Sequence, residues 1–186
     1  MTKEELYGSL DYVNHSRERR QHMSNMLMAD PKMVQPLLEI AIVVNDPISS
    51  RACWVLEFSA KKNLAYILPY IDLFAENLNI IHLESSIRPM AKICEMLIKA
   101  YYSKAPNNIQ KLMKPRHLEL ITAACFDWLI GDHKVAAKAY SMTSLLLLGN
   151  TFDWIHPELK LVLEQNYAAG SAAYKARARM TLAKIK

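Results

Sequence analysis

The stretch DPISSRACWVLEFSA, residues 46–60, decides how the chain is read. Asp46-Pro47 makes a turn followed by the first position of a helix, where proline's missing N–H costs nothing because that group has no partner within the helix. From there Ile48, Ala52, Val55, Leu56 and Ser59 recur at spacings of three and four. They draw one apolar stripe and place Arg51, Glu57 and Lys61 elsewhere on the surface. A one-sided helix needs a neighbour, and residues 36–45, PLLEIAIVVN, form a second apolar run that reaches the Asp46 turn. The unit is helix, tight turn, helix.

The same plan returns at 69–79, PYIDLFAENLN, followed by 85–95, SSIRPMAKICE. Prolines near the start of the leading helix fall at 36, 69, 115 and 157, which are 33, 46 and 42 residues apart. Basic residues early in the following helix fall at Arg51, Arg88, Lys138 and either Lys175 or Arg177, spaced 37, 50 and then 37 or 39. Periods of this size in helix pairs mean stacked helical repeats. A basic insert at 103–114, SKAPNNIQKLMK, accounts for the long middle spacing, and an insert on one rim of such a stack is a natural contact site.

With its leading-helix proline, its acidic or Asn turn residue (Asp46, Asn79, Asp132) and its early basic residue in the second helix, the chain resembles the HEAT-like and armadillo-type helical repeats. The resemblance runs from about Pro31 to the end, with the acid-to-base spacing drifting from 46→51 to 84→88 and 132→138. It implies an all-α fold, an α-α superhelix of about four to five stacked antiparallel helix pairs. Residues 1–186 would then form a single domain, with 1–30 as an N-terminal capping helix pair. It also implies a concave wall of second helices, on which Arg51, Arg88, Lys92, Lys138, Lys175, Arg177 and Arg179 would meet a partner.

Composition sets the outer bounds. One hundred and eighty-six residues, 52% hydrophobic with four glycines, leave room for a real core and no evident linker. No window approaches the length of uncharged apolar sequence needed to cross a membrane, and the acidic start MTKEELYGSLDY does not read as a signal peptide, so a cytoplasmic location is expected. Cys53, Cys94 and Cys125 sit apart among apolar neighbours and are expected to be buried reduced thiols. The net charge of +5 hides a lengthwise polarity, −3 over residues 1–84 and +8 over 85–186, which favours an acidic or polyanionic partner.

Local signals fill in the order of elements. Thr2 and Glu5 make a capping box that opens a helix at residue 3 and carries it to about Val13. A second helix, 17–28, begins with Arg17, Arg19 and Arg20, cations that oppose the helix dipole and so do not serve helix stability alone. Asn63 caps a helix over 64–78, and Pro89 is tolerated in the first turn of the next, which begins at Ser85 and ends at Tyr101 or Tyr102. Gly131 suits a left-handed close to the helix 116–130 and Asp132 caps its successor, whose segment 144–148 is apolar enough to be covered on several sides. Gly149-Asn150 ends that helix, Pro157 opens another, and a last helix runs from Ser171 to Lys186 with the stripe Tyr174, Ala178, Leu182 and Ile185.

Catalytic signatures are missing. There is no Gly-rich phosphate loop, nucleophile elbow or HExxH, and the serine-rich signature of the fumarase and adenylosuccinate-lyase superfamily does not occur. His15, Glu18 and His22 share a helical face, but no second set of ligands accompanies them, so no metal and no cofactor is expected. The sequence therefore reads as a non-catalytic scaffold for a protein partner, with no small-molecule substrate and no membrane span. Nucleic-acid binding is the alternative, because cation rows and aromatics serve phosphates and bases equally well. Within it lies a base-excision reading by resemblance to the HEAT-like alkylpurine DNA glycosylases, for which Asp127-Trp128 and the run from Trp54 to Glu57 are the nearest matches.

Overall fold

A computed structural model describes residues 1–185; among them every regular element is helical and there is no strand. The chain divides into two compact units, Met1–Ile93 and Cys94–Lys186, the division falling inside one helix. Each unit is built around one central helix.

In the first unit that helix is α4. Ahead of it come α1 (Lys3–Leu10), α2 (Arg17–Ala29) and, after a single 3-10 turn at Pro31–Met33, α3 (Val34–Ala41). The capping box forms as read: the Glu5 N–H donates to Thr2 Oγ1 at 3.2 Å and the Thr2 N–H to Glu5 Oε2 at 2.8 Å. α4 (Pro47–Lys62) starts on Asp46, whose carboxylate accepts the Ile48 N–H at 2.9 Å and the Tyr7 hydroxyl at 2.7 Å. One side chain thus caps α4 and ties it to α1. α1, α2 and α3 all pack on α4, and Leu6, Leu10, Leu27, Leu37 and Leu38 are buried, as are Ala52, Val55 and Leu56 of α4.

The helix expected over 64–78 is broken. Single 3-10 turns at Leu64–Tyr66, Leu68–Tyr70 and Leu78–Ile80 flank a short α5 (Ile71–Glu76). Pro69 contributes to the first break, since it has no N–H to donate to the preceding turn. Phe74 and Leu78 remain fully buried, so the segment still contributes to the core. α6 (Glu84–Tyr101) follows, with Pro89 inside it and Ile87, Met90, Ala91 and Ile93 fully buried.

In the second unit the central helix is α9 (Val135–Leu148), against which α8 (Pro115–Ile130), α10 (Ile155–Tyr167) and α11 (Ala172–Leu182) all pack. Met142, Leu145 and Leu148 of α9 are fully buried, while Leu146 and Leu147, in the segment expected to be covered on several sides, are half-buried. Within the basic insert α7 (Asn108–Leu112) is held by an Asn107–Gln110 capping box. Ser171 caps α11 through the Tyr174 N–H, and Tyr174 and Ala178 are its buried stripe, while Lys186 lies outside the described residues. All three cysteines are free and buried, and burial pushes the Cys53 and Cys125 thiols up to about 12.

Both helix-ending glycines stand where they were read, Gly131 after α8 and Gly149 after α9. Gly131 closes α8 in extended backbone at φ −59° and ψ 165° rather than in the left-handed region, and α9 starts at Val135 without a side-chain cap from Asp132. Gly149 is needed for space instead: a Cβ there would lie 2.1 Å from the ring of His156, whose Nε2 contacts the Leu146 carbonyl at 2.9 Å. Gly8, inside α1, has nothing within 4 Å of the same position. Gly149→Ala is therefore expected to cost about 1–3 kcal/mol through overpacking, whereas Gly8→Ala should stabilise by roughly 0.5–1 kcal/mol through reduced backbone entropy. Urea melts of the two variants with the same sign of change would contradict this account of the glycines.

Candidate anion-binding groove

Three helices of the first unit set cations around one groove. α2 supplies Arg17, Arg20 and Gln21 at positions that share a helical face, α4 supplies Phe58, Lys61 and Lys62, and α6 supplies Arg88. The groove has a volume of about 590 Å³. Arg17, Lys61 and Lys62 are exposed at its rim, while Arg20 and Arg88 are half-buried.

A single carboxylate anchors the floor. Glu57, placed on the surface by its sequence spacing, is fully buried. Arg88 grips it in a two-pronged pair, Nη1 to Oε1 at 3.1 Å and Nη2 to Oε2 at 2.7 Å, and Lys61 donates to Oε1 at 2.6 Å from one turn further along α4. Burial by itself raises the Glu57 pKa, but the bonds and charges of Arg88 and Lys61 outweigh it and hold the carboxyl below its ordinary 4.5. Two cations share that one negative charge, so the groove keeps an excess of positive charge before Arg17, Arg20 and Lys62 are added.

Arg20 is held in place from behind. Its guanidinium lies 5.0 Å from the Phe58 ring centre and 5.8 Å from that of Trp54, and it donates to the carbonyls of His15 at 2.6 Å and Ser16 at 3.3 Å. Burial lowers its pKa, and repulsion from Arg88 lowers it further against the pull of Glu57. Arginine stays charged through such shifts. Two guanidiniums repelling one another are an arrangement that an incoming anion relieves. Lys61 covers the Phe58 ring at 5.1 Å, and Lys62 is bonded to the Asn25 side-chain oxygen.

Of the seven cations read as a partner surface, only Arg88 lines this groove. Arg51 bonds the Asp11 carbonyl at 2.7 Å and the Asp11 carboxylate, closing the C-terminal end of α1. Lys92 is half-buried one turn after Arg88. In the second unit the Lys138 ammonium lies 6.0 Å from the Tyr174 ring centre beside a cavity of about 440 Å³ that Gly170 and Ser171 also line. Arg177 bonds Thr143 Oγ1 at 2.6 Å and lies 3.9 Å from Glu95, a buried carboxylate that Lys99 contacts at 2.8 Å. Lys175 is half-buried and Arg179 exposed on α11, and neither lines the cavity of about 190 Å³ beside Arg177.

The groove and the Arg177 cluster share one construction: a buried glutamate, a lysine four residues later on the same helix, and an arginine from another helix. The sequence signal is the recurrence of Glu-x-x-x-Lys at 57–61 and 95–99, together with arginines crowded at the start of α2. The candidate metal face does not assemble a ligand set. His15 packs on Trp54 at 5.0 Å and His22 on Tyr12 at 6.2 Å, and no group of three or more His, Cys, Asp or Glu among the described residues is placed to hold an ion. Of the nearest base-excision match, Asp127 is exposed while Trp128 is buried and 3% accessible, so the two side chains do not share a surface.

Because the folded Glu57 pKa lies below its unfolded value, the stability it confers is present above that value and is lost as pH falls through the folded one. Glu57→Gln should cost about 1–3 kcal/mol at pH 7, the usual penalty for depriving buried polar groups of their partners. The gap to the parent protein should narrow once the pH drops below 4.5. Chemical denaturation at both pH values checks this, and a gap that widens on acidification would mean that Glu57 is not the paired carboxylate.

Comparison with family models, with curated proteins and with solved structures returns no match to this chain.

Proposed function

We propose that this chain is a non-catalytic helical scaffold that binds an acidic segment of a protein partner in the groove between α2, α4 and α6. The observation that carries the reading is the charge of that groove, five cations around one buried carboxylate. Aspartate or glutamate side chains entering it would meet guanidiniums already oriented by Glu57, Phe58 and the carbonyls of His15 and Ser16. Prior orientation spares the ordering cost that weakens most exposed ion pairs.

A protein partner is favoured over a nucleic acid by the state of the aromatic surface. Bases on a single strand bind by stacking on exposed rings, whereas Phe58, the ring lining the groove, is already covered by Arg20 and Lys61. The packing of α3 on α4 and of α8 on α9, each a leading helix followed by a second one, is the helix pairing that the HEAT-like reading of the scaffold calls for.

Fluorescence anisotropy with a labelled oligoglutamate peptide, set against single-stranded DNA of equal charge, tests the reading. The peptide should bind with a marked salt dependence. Arg17→Glu combined with Lys62→Glu, both at exposed positions, should weaken it about tenfold, and Lys160→Glu on α10 should not. Unchanged affinity in the double variant overturns the choice of groove, and tighter binding of the DNA replaces the protein partner with a nucleic acid.

A further inference from the structure

A second recognition site of opposite chemistry lies in the other unit, where α8 meets the turn between α9 and α10. Glu119, Thr122, Ala123 and Phe126 recur along α8 at spacings of three, one and three, so they share one face of that helix. Phe152 and Trp154 of the turn stand over this face and enclose with it a cavity of about 280 Å³. Trp154 is 56% exposed, an uncommon state for the largest apolar side chain, yet it is not loose. Its ring stacks on Phe126, with centres 5.7 Å apart and planes 22° from parallel, and Phe126 is itself 9% exposed. The indole is thus presented outward on a fixed base.

The polar groups of the cavity decide what it would accept. Thr122 spends its hydroxyl hydrogen on the Leu118 carbonyl at 2.8 Å. That leaves Glu119, the one charged lining residue, exposed and in no ion pair among the described residues. An unpaired carboxylate beside two aromatic side chains attracts a cation carried on an apolar stem, because the rings favour positive charge at their faces and cover the methylenes. A volume of about 280 Å³ is below that of a drug-sized site and suits a single long side chain. We infer that the pocket formed by Glu119, Phe152 and Trp154 binds the alkylammonium side chain of a lysine from a partner peptide.

Two small probes separate charge from greasiness: N-acetyl-lysine methylamide and its uncharged counterpart N-acetyl-norleucine methylamide. The readout is the indole N–H signal of Trp154 in a nitrogen–proton correlation spectrum, assigned with Trp154→Phe, with Trp54 and Trp128 as internal controls of the fold. The lysine probe should shift the Trp154 signal saturably while the other two indoles stay in place. Affinity should be at least about threefold higher than for the norleucine probe, and Glu119→Gln should remove that preference. An unmoved Trp154 signal overturns the inference. So does equal binding of the two probes, which would mark a plain apolar pocket, or a lysine preference that survives Glu119→Gln. None of these outcomes depends on whether the basic groove binds an acidic peptide.

Discussion

A carboxylate buried without water is tolerable only while its partners stay in place, and Glu57 is such a group in the first unit. Arg88 and Lys61 answer it from α6 and α4, which fixes two cations at the groove and ties α6 to α4 by a charged bond. The rest of the site builds on that clamp. Arg20 can sit near Arg88 because Glu57 offsets part of the repulsion and because Phe58 and Trp54 support its flat face. Charge that would be scattered on a mobile surface is therefore concentrated on one wall. The wall also divides the labour: Arg88 and Lys61 are partly committed to Glu57, whereas Arg17 and Lys62 stand exposed at the rim.

The second unit repeats the device with Glu95, Lys99 and Arg177, but spends it differently. Arg177 gives its shortest bond to Thr143, so α11 is tied to α9 beside a cavity of about 190 Å³. The same three residue types serve as a tether in one place and as a charged wall in the other. What separates the two is the set of neighbours: near Glu57, α2 brings Arg17 and Arg20, whereas near Glu95 the surroundings include the hydroxyls of Thr143 and Thr181.

Much of the all-helical plan is legible in single residues. Asp46-Pro47, the Thr2–Glu5 box and Ser171 each mark a helix start that forms as expected, because caps act over three or four residues and need no knowledge of the fold. The misses have physical reasons. A helix period assigns Glu57 to the polar side, and only the arrival of Arg88 from α6 makes its burial affordable. Pro69 interrupts the helix expected over 64–78 even though the apolar pattern runs through it, since the missing N–H acts on the backbone while the pattern reports on side chains. Gly149 ends α9 as read, and the fold adds a second reason for it in the His156 ring seven residues away in sequence. The groove is half visible in the arginines set against the dipole of α2, and the cavity beside Trp154 is invisible because Glu119 and Trp154 are neighbours only through tertiary packing.

The three sequestered thiols carry a practical corollary. With Cys53, Cys94 and Cys125 enclosed and their ionisation pushed far from neutrality, the native chain presents little thiolate to maleimides or other electrophiles. An engineered cysteine on an exposed helix face would thus stand out against a silent background, so spectroscopic labels could be attached one at a time without first stripping the protein of its own sulfur.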